Sequence, residues 1–187
     1  MQREVTATVT ESVSPELFRE AMSRLGAPVT IVTTDGPAGR HGLTLSAITS
    51  VTDTPPTVLV CLNRTNRSHQ AFLQNGVIGI NILGQLQSAV ADAFASSRRT
   101  SDEKFAIGVW REGRTGAPVL NDATVTLECS ITDVRTSGSH DVLFCTIEHV
   151  SLHHEPDGGL AWFDRRYHLL PRLRQEVAGS VTSEAKV

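Results

Sequence analysis

Between Thr124 and Glu155 the chain carries two long runs in which apolar and polar residues alternate, "TVTLECSITDVRTSG" and "HDVLFCTIEHVSLHHE", with Gly138 near their junction. Alternation at period two turns one face of an extended chain toward a core and the other toward water. Two such runs meeting at a glycine predict an antiparallel hairpin. The rest of the chain has to be read as neighbours of that ribbon.

Several other segments have the branched, short, Gly- or Pro-bounded character of strands: "PVTIVTT" (28–34), "TVLVCLN" (57–63), "VIGINIL" (77–83) and one more within "GGLAWFDRRYHLL" (158–170). Three segments predict short helices. In "SPELFREAMSRLG", Ser14 can cap, Pro15 suits the first turn and Glu16 faces the positive end of the dipole. Phe18, Met22 and Leu25 form its apolar stripe, and Gly26 stops it. "RSHQAFLQNG" ends at Gly76, and "QLQSAVADAF" sets Leu86, Val90 and Phe94 on one face. The polar stretch 95–105 and the Gly-rich stretch 108–120 read as loops. Strands follow strands directly, so the expectation is a mainly β fold, a Greek-key barrel with a few short helices, and not a doubly wound parallel sheet. Residues 1–13 read as a flexible arm, 14–170 as one domain and 171–187 as a tail.

A chain of 187 residues can bury ~70% of its unfolded surface, so its core needs neither disulfides nor a structural metal. A net charge of −3 argues against a general nucleic-acid binder. Cys61, Cys129 and Cys145 lie in apolar runs with no C-x-x-C, which predicts reduced thiols. Their odd count and the lack of a leader-like segment point to the cytoplasm. No apolar run approaches the ~20 residues of a membrane span.

The common catalytic patterns are missing. There is no G-x-S-x-G, H-E-x-x-H, Walker A or G-x-G-x-x-G sequence. Ser139, His140 and Asp141 are consecutive, and neighbours on a strand point to opposite faces, so they do not make a nucleophilic triad. His153 and His154 are likewise too close together to share one metal on a strand.

The stretch "GLTLSAITSVTDTPP" (42–56) concentrates hydroxyls and small residues before a buried strand. If extended, it places Thr44, Ser46, Ile48 and Ser50 on one face and Leu43, Leu45, Ala47 and Val51 on the other. Buried hydroxyls without partners cost ~1–3 kcal/mol each, so that face is either a solvated edge or a ligand groove. Arg40 precedes it, and Arg64, Arg67 and Ser68 follow the next strand at the start of a helix. These two anion-seeking segments could converge on one phosphate.

The ordered series "GLTLSAITSVTDTPP", "LVCLNRTNRSHQAF", "IGINIL", "SDEKFAIGVW", "SGSHDVLFCTIE" and "GLAWFDRRYH" resembles the short-chain flavin reductase family over roughly 18–169. Its members are reductase components of two-component flavin-dependent monooxygenases. The resemblance implies an FMN-binding split β-barrel working as a homodimer, with FMN or FAD as flavin and NADH, or else NADPH, as donor. Reduced flavin would pass by diffusion to a separate oxygenase. Gly42, Leu43, Thr44, Ser46 and Ala47 would line the flavin ring. Ser50, Asn63, Arg67 and Ser68 would hold the ribityl phosphate, with Asn81 and Lys104 beside the flavin. His140 matches the histidine of a Gly-Asp-His motif near the nicotinamide, and Tyr167 a tyrosine by the same pocket. Ser139 stands where many relatives carry Asp. Two readings on the same scaffold stay open: a non-catalytic flavin or haem binder, and an FMN oxidase like pyridoxamine-phosphate oxidase.

Overall fold

In the computed structural model, which describes residues 13–153 and 158–172, the alternating runs form the expected ribbon. Strands β9 (Val125–Ser137) and β10 (His140–Leu152) pair antiparallel, and Gly138 turns between them at φ +56°, where a side chain would be strained. The register shifts at Phe144/Cys145 and Ile147/His149, irregularities of the kind that increase local twist.

The ribbon sits inside a seven-stranded antiparallel sheet. Its order is β3 (His41–Leu45), β2 (Thr30–Thr34), β6 (Val77–Ile82), β9, β10, β5 (Pro56–Asn63), β4 (Ile48–Asp53). Strands β3 and β4 are consecutive in the chain, yet they occupy opposite edges. Only Ser46 and Ala47 separate them, a link of about 11 Å at full stretch. The sheet therefore curls until its two edges nearly meet. At that seam the Cys61 N–H donates to the Ala47 carbonyl at 3.0 Å.

Smaller elements close the ends. Strands β1 (Ala27–Pro28), β11 (Gly158–Phe163) and β12 (Arg166–Pro171) form a three-stranded sheet, and β7 (Trp110–Glu112) and β8 (Pro118–Leu120) form a hairpin. The helices are α1 (Pro15–Ser23), α2 (His69–Asn75), α3 (Ser88–Ala95) and α4 (Ser101–Phe105). One core lies within the curled sheet, where Phe72 of α2 packs among Val60, Leu62, Ile78, Ile80 and Leu143. A second joins the sheet to α3, β8 and β11 through Ile31, Leu83, Phe94, Leu120 and Leu160. Each such side chain contributes about 1.5–3 kcal/mol on burial.

Several expectations need correction. Residues 42–51 are not one strand: the bend at Ser46–Ala47 separates Thr44 on β3 from Ser50 on the opposite edge, so their hydroxyls share no face. The 95–105 stretch contains α4, started by a capping box in which Thr100 and Glu103 bond reciprocally. Residues 108–120 contain the β7–β8 hairpin. Segment 158–170 holds two strands, turning through Asp164 and Arg165, both in the left-handed region at φ +48° and +59°. The α1 stripe of Phe18, Met22 and Leu25 is exposed, as is Leu86, which precedes α3. Cys129 and Cys145 are buried as free thiols, whereas Cys61 is only half-buried. Most of the N-terminal arm, most of the tail and His154 lie outside the described residues. No described helix is long and apolar enough to cross a membrane.

Candidate functional site

Three pieces of chain enclose a cleft of about 500 Å³: His41–Thr44 on β3, the corner Asn63–Ser68 leaving β5, and the segment from Phe94 to Lys104. Its floor exists because α3 lies directly on β3. A Cβ at Gly42 would stand 2.6 Å from the Phe94 ring and 3.2 Å from the Val32 carbonyl, so only glycine admits the helix. The Thr44 hydroxyl adds a second tie, donating to the Ala91 carbonyl at 2.6 Å.

The corner is built from two side-chain-capped turns. Asn63 Oδ1 accepts from both the N–H and the hydroxyl of Thr65 at 2.9 Å, and Asn66 Oδ1 accepts from the Ser68 N–H at 2.9 Å. On the third side, Ser96 Oγ accepts from the N–H groups of Arg98 and Arg99 at 3.2 and 3.4 Å. Arg67 reaches across the cleft to donate to the Ser97 carbonyl.

The electrostatics are one-sided. Arg67, Arg99 and Lys104 line the cleft, and no carboxylate does. Lys104 is buried and donates to the carbonyls of Gly42 (3.3 Å) and Phe94 (3.2 Å), which leaves one ammonium proton uncommitted. Burial lowers its pKa, and the Arg67 charge adds to the effect. Thr65, Ser68, Ser97 and Thr100 line the same space.

Thr44 and Ala95 also line a neighbouring groove of about 190 Å³ whose other walls are Val29, Leu45, Ser46, Trp162 and Tyr167. The Trp162 and Tyr167 rings meet edge-on at 5.1 Å. The Tyr167 hydroxyl donates to Asp92 Oδ1 at 2.8 Å, and burial followed by that carboxylate pushes its pKa up to about 12. A cationic, hydroxyl-rich basin thus lies beside a mainly apolar groove. That donor set fits a phosphate dianion joined to a planar ring.

Gly42, Leu43, Thr44, Asn63, Arg67, Ser68 and Lys104 line the basin, while Ser46 and Tyr167 line the slot. The others stand apart. Arg40 lies over the Phe105 ring at 4.5 Å and pairs with Asp102 at 3.2 Å. Arg64 leans toward Asp141, at 3.9 Å. Asn81 is fully buried, donating to the Ile31 carbonyl at 3.1 Å and accepting from the Leu120 N–H at 2.8 Å, so it is a strut between sheet and β8. Ala47 and Ser50 are exposed and line neither space. His140 is half-buried opposite Asn63 in the β5–β10 register, its Nδ1 2.9 Å from Ser139 Oγ, beside the corner but outside the basin lining.

Sequence reasoning missed Arg99 and the hydroxyls around it by reading 95–105 as a plain loop. The Thr100-x-x-Glu103 spacing was the available signal. It also missed the buried contact between His69 and Asp141, 2.7 Å apart, because the partners are separated by 72 positions.

Residues 22–171 match the flavin reductase like domain. An FMN reductase (NADH), RutF 1, of Methylorubrum extorquens (strain PA1) is 47% identical over 173 residues, 92% of this chain and 84% of that protein. A Haemophilus somnus 129pt protein described as a flavin reductase superposes at TM-score 0.81 with 39% identity, covering 84% of this chain and 100% of its own. BorF, the flavin reductase component of a bacterial two-component tryptophan halogenase, superposes at TM-score 0.80 with 28% identity over 86% of this chain and 100% of its own.

Proposed function

This chain belongs to the flavin reductase like domain family, and on that premise we propose that it is an NADH-dependent flavin reductase whose flavin is FMN. One observation carries the reading: a basin lined by three cations and no carboxylate adjoins a mainly apolar groove, with Thr44 and Ala95 lining both. The relative from Methylorubrum extorquens bears the name of an FMN reductase using NADH.

A flavin held here would supply the two-electron redox chemistry. The chain's own work is to bind, orient and exclude water. Arg67, Arg99, Lys104 and Ser68 hold the phosphate. Gly42, Leu43, Thr44 and Ser46 form the strand edge along which the ring lies, and Trp162 and Tyr167 close its apolar side. Tyr167 stays protonated at neutral pH and keeps its hydrogen bond to Asp92. His140, at the mouth beside Asn63, positions the nicotinamide and transfers no proton. Stacking two rings at ~3–3.5 Å in a dry slot supplies the proximity that the reaction needs.

The same reading extends to the surroundings. The curled seven-stranded sheet is a split barrel of Greek-key type, a reading supported by the two-residue link Ser46–Ala47 between its opposite edges. The protein works as a homodimer in the cytoplasm, where its three cysteines stay reduced. Reduced flavin leaves for a separate flavin-dependent monooxygenase, by analogy with the component role that BorF's name states.

Following NADH absorbance with flavin-stripped protein tests the reading. Oxidation should begin only when FMN is added, and His140→Ala should raise the NADH KM more than the FMN KM. Steady NADH consumption without added flavin, or none with it, overturns the assignment.

A further inference from the structure

The β5–α2 corner is pinned from beneath by a buried carboxylate that the flavin reading does not use. Asp141, the second residue of β10, has a side chain only 6% exposed. Its Oδ2 accepts from His69 Nε2 at 2.7 Å and its Oδ1 from the Thr136 hydroxyl at 2.7 Å, with Arg64 Nε 3.9 Å away. His69 opens α2, directly after Ser68, and its side chain is 3% exposed. Its Nδ1 lies 3.3 Å from Gln70 Nε2, an amide donor, so Nε2 carries the proton given to Asp141. The Thr136 hydroxyl first, and then His69, hold the Asp141 carboxyl below the usual aspartate range against the opposing effect of burial. One carboxylate therefore joins the end of β9, the start of β10 and the first turn of α2.

A buried ionic or strongly polar pair gives little net stability over apolar residues of the same volume, but it fixes orientation. What is oriented here is clear from the chain. Arg67 and Ser68 immediately precede His69 and line the basin. The Ser68 hydroxyl makes no capping bond to α2, so it is free for a ligand. The Arg64 N–H also donates to the Ser139 carbonyl at 3.0 Å, which ties the other end of the corner to the β9–β10 turn.

We propose that Asp141 and His69 form a positioning pair that holds Arg67 and Ser68 toward the flavin phosphate. The proposal rests on the basin being the phosphate site. Neither residue touches the flavin, and both act through the corner.

Binding separates this role from a merely structural one. Fluorescence quenching is titrated with FMN and with riboflavin, which has the ring and ribityl chain but no phosphate. Asp141→Ala should weaken FMN binding about tenfold while leaving riboflavin affinity unchanged. Asp141→Asn should recover most of the FMN affinity, because its amide oxygen still accepts from His69. Thr136→Val should show a smaller loss with the same selectivity, and it carries the test with Asp141→Asn should Asp141→Ala fail to fold. Equal loss for both flavins, or a lowered Tm with unchanged FMN binding, overturns the proposal. If the unsubstituted protein quenches neither flavin, the site itself falls and the proposal with it. Binding of FMN without NADH oxidation overturns only the reductase reading.

Discussion

A single phenol reports on the apolar slot, because Tyr167 is the only tyrosine in the chain. Its folded pKa is raised to about 12, first by burial and then by the Asp92 carboxylate that accepts its proton. The fold thus favours the neutral form. The stabilisation is fully present below the unfolded value of ~10 and is lost as pH rises through the folded value. Tyrosinate absorbance in the folded protein should have its midpoint near 12, and Asp92→Asn should bring it down. A midpoint at the ordinary phenol value would show that the hydroxyl faces water. At the other end of the site, Arg99 is exposed and acts through charge. Arg99→Gln should weaken FMN binding about fivefold at low salt and less at high salt, since exposed charges are screened. Titrations at two ionic strengths check this, and a salt-independent loss would point instead to a role in shaping the loop.

Helix α3 and strand β3 meet so closely that one methyl group decides their spacing. The Phe94 ring is 1% exposed and lies 5.0 Å from the rings of both Phe105 and Trp110, so it cannot swing away from a new Cβ at Gly42. Gly42→Ala should cost about 1–3 kcal/mol and lower Tm by roughly 3–10 °C, as read by thermal unfolding. An unchanged Tm would mean that α3 does not rest on β3. The example also marks what the sequence could tell. Alternation and glycine turns made β9 and β10 readable, since both signals are local. The role of Gly42 as a seat for a helix some 50 positions later was not, because nothing local announces which side chain will arrive. Arg40 and Asn81 failed for the same reason. Arg40 was read by type and proximity in sequence and Asn81 by resemblance, and each is engaged by a partner that only the fold brings near, Asp102 for one and Leu120 for the other. Arg67, Ser68 and Thr44 line one cavity, because strand, corner and helix start lie close together in the chain.

At the scale of the whole molecule, the described chain leaves apolar surface where a monomer should not. Among the described residues strand β12 is an unpaired edge of the three-stranded sheet, and its Leu169 and Leu170 are 59% and 53% exposed. An open edge carrying apolar side chains invites another strand or surface. Helix α1 stands beside it, tied to the β11–β12 turn by Glu20–Arg165 at 2.8 Å and by the Asp164 N–H donating to the Ser23 carbonyl at 2.6 Å. It buries none of its residues and shows Phe18 and Met22 to solvent. A patch of this kind marks an association surface. A second copy is the occupant that fits the homodimer reading, because a twofold interface matches a surface to itself. Light scattering at micromolar concentration should give twice the chain mass, and Leu169→Glu with Leu170→Glu should halve it, since charges in a desolvated contact cost more than the contact returns. Because these residues lie outside the phosphate basin, the doubly substituted protein should still quench FMN fluorescence. A monomer for the unsubstituted chain would remove the interface, and lost flavin binding in the variant would show that the partner copy completes the slot beside Trp162 and Tyr167.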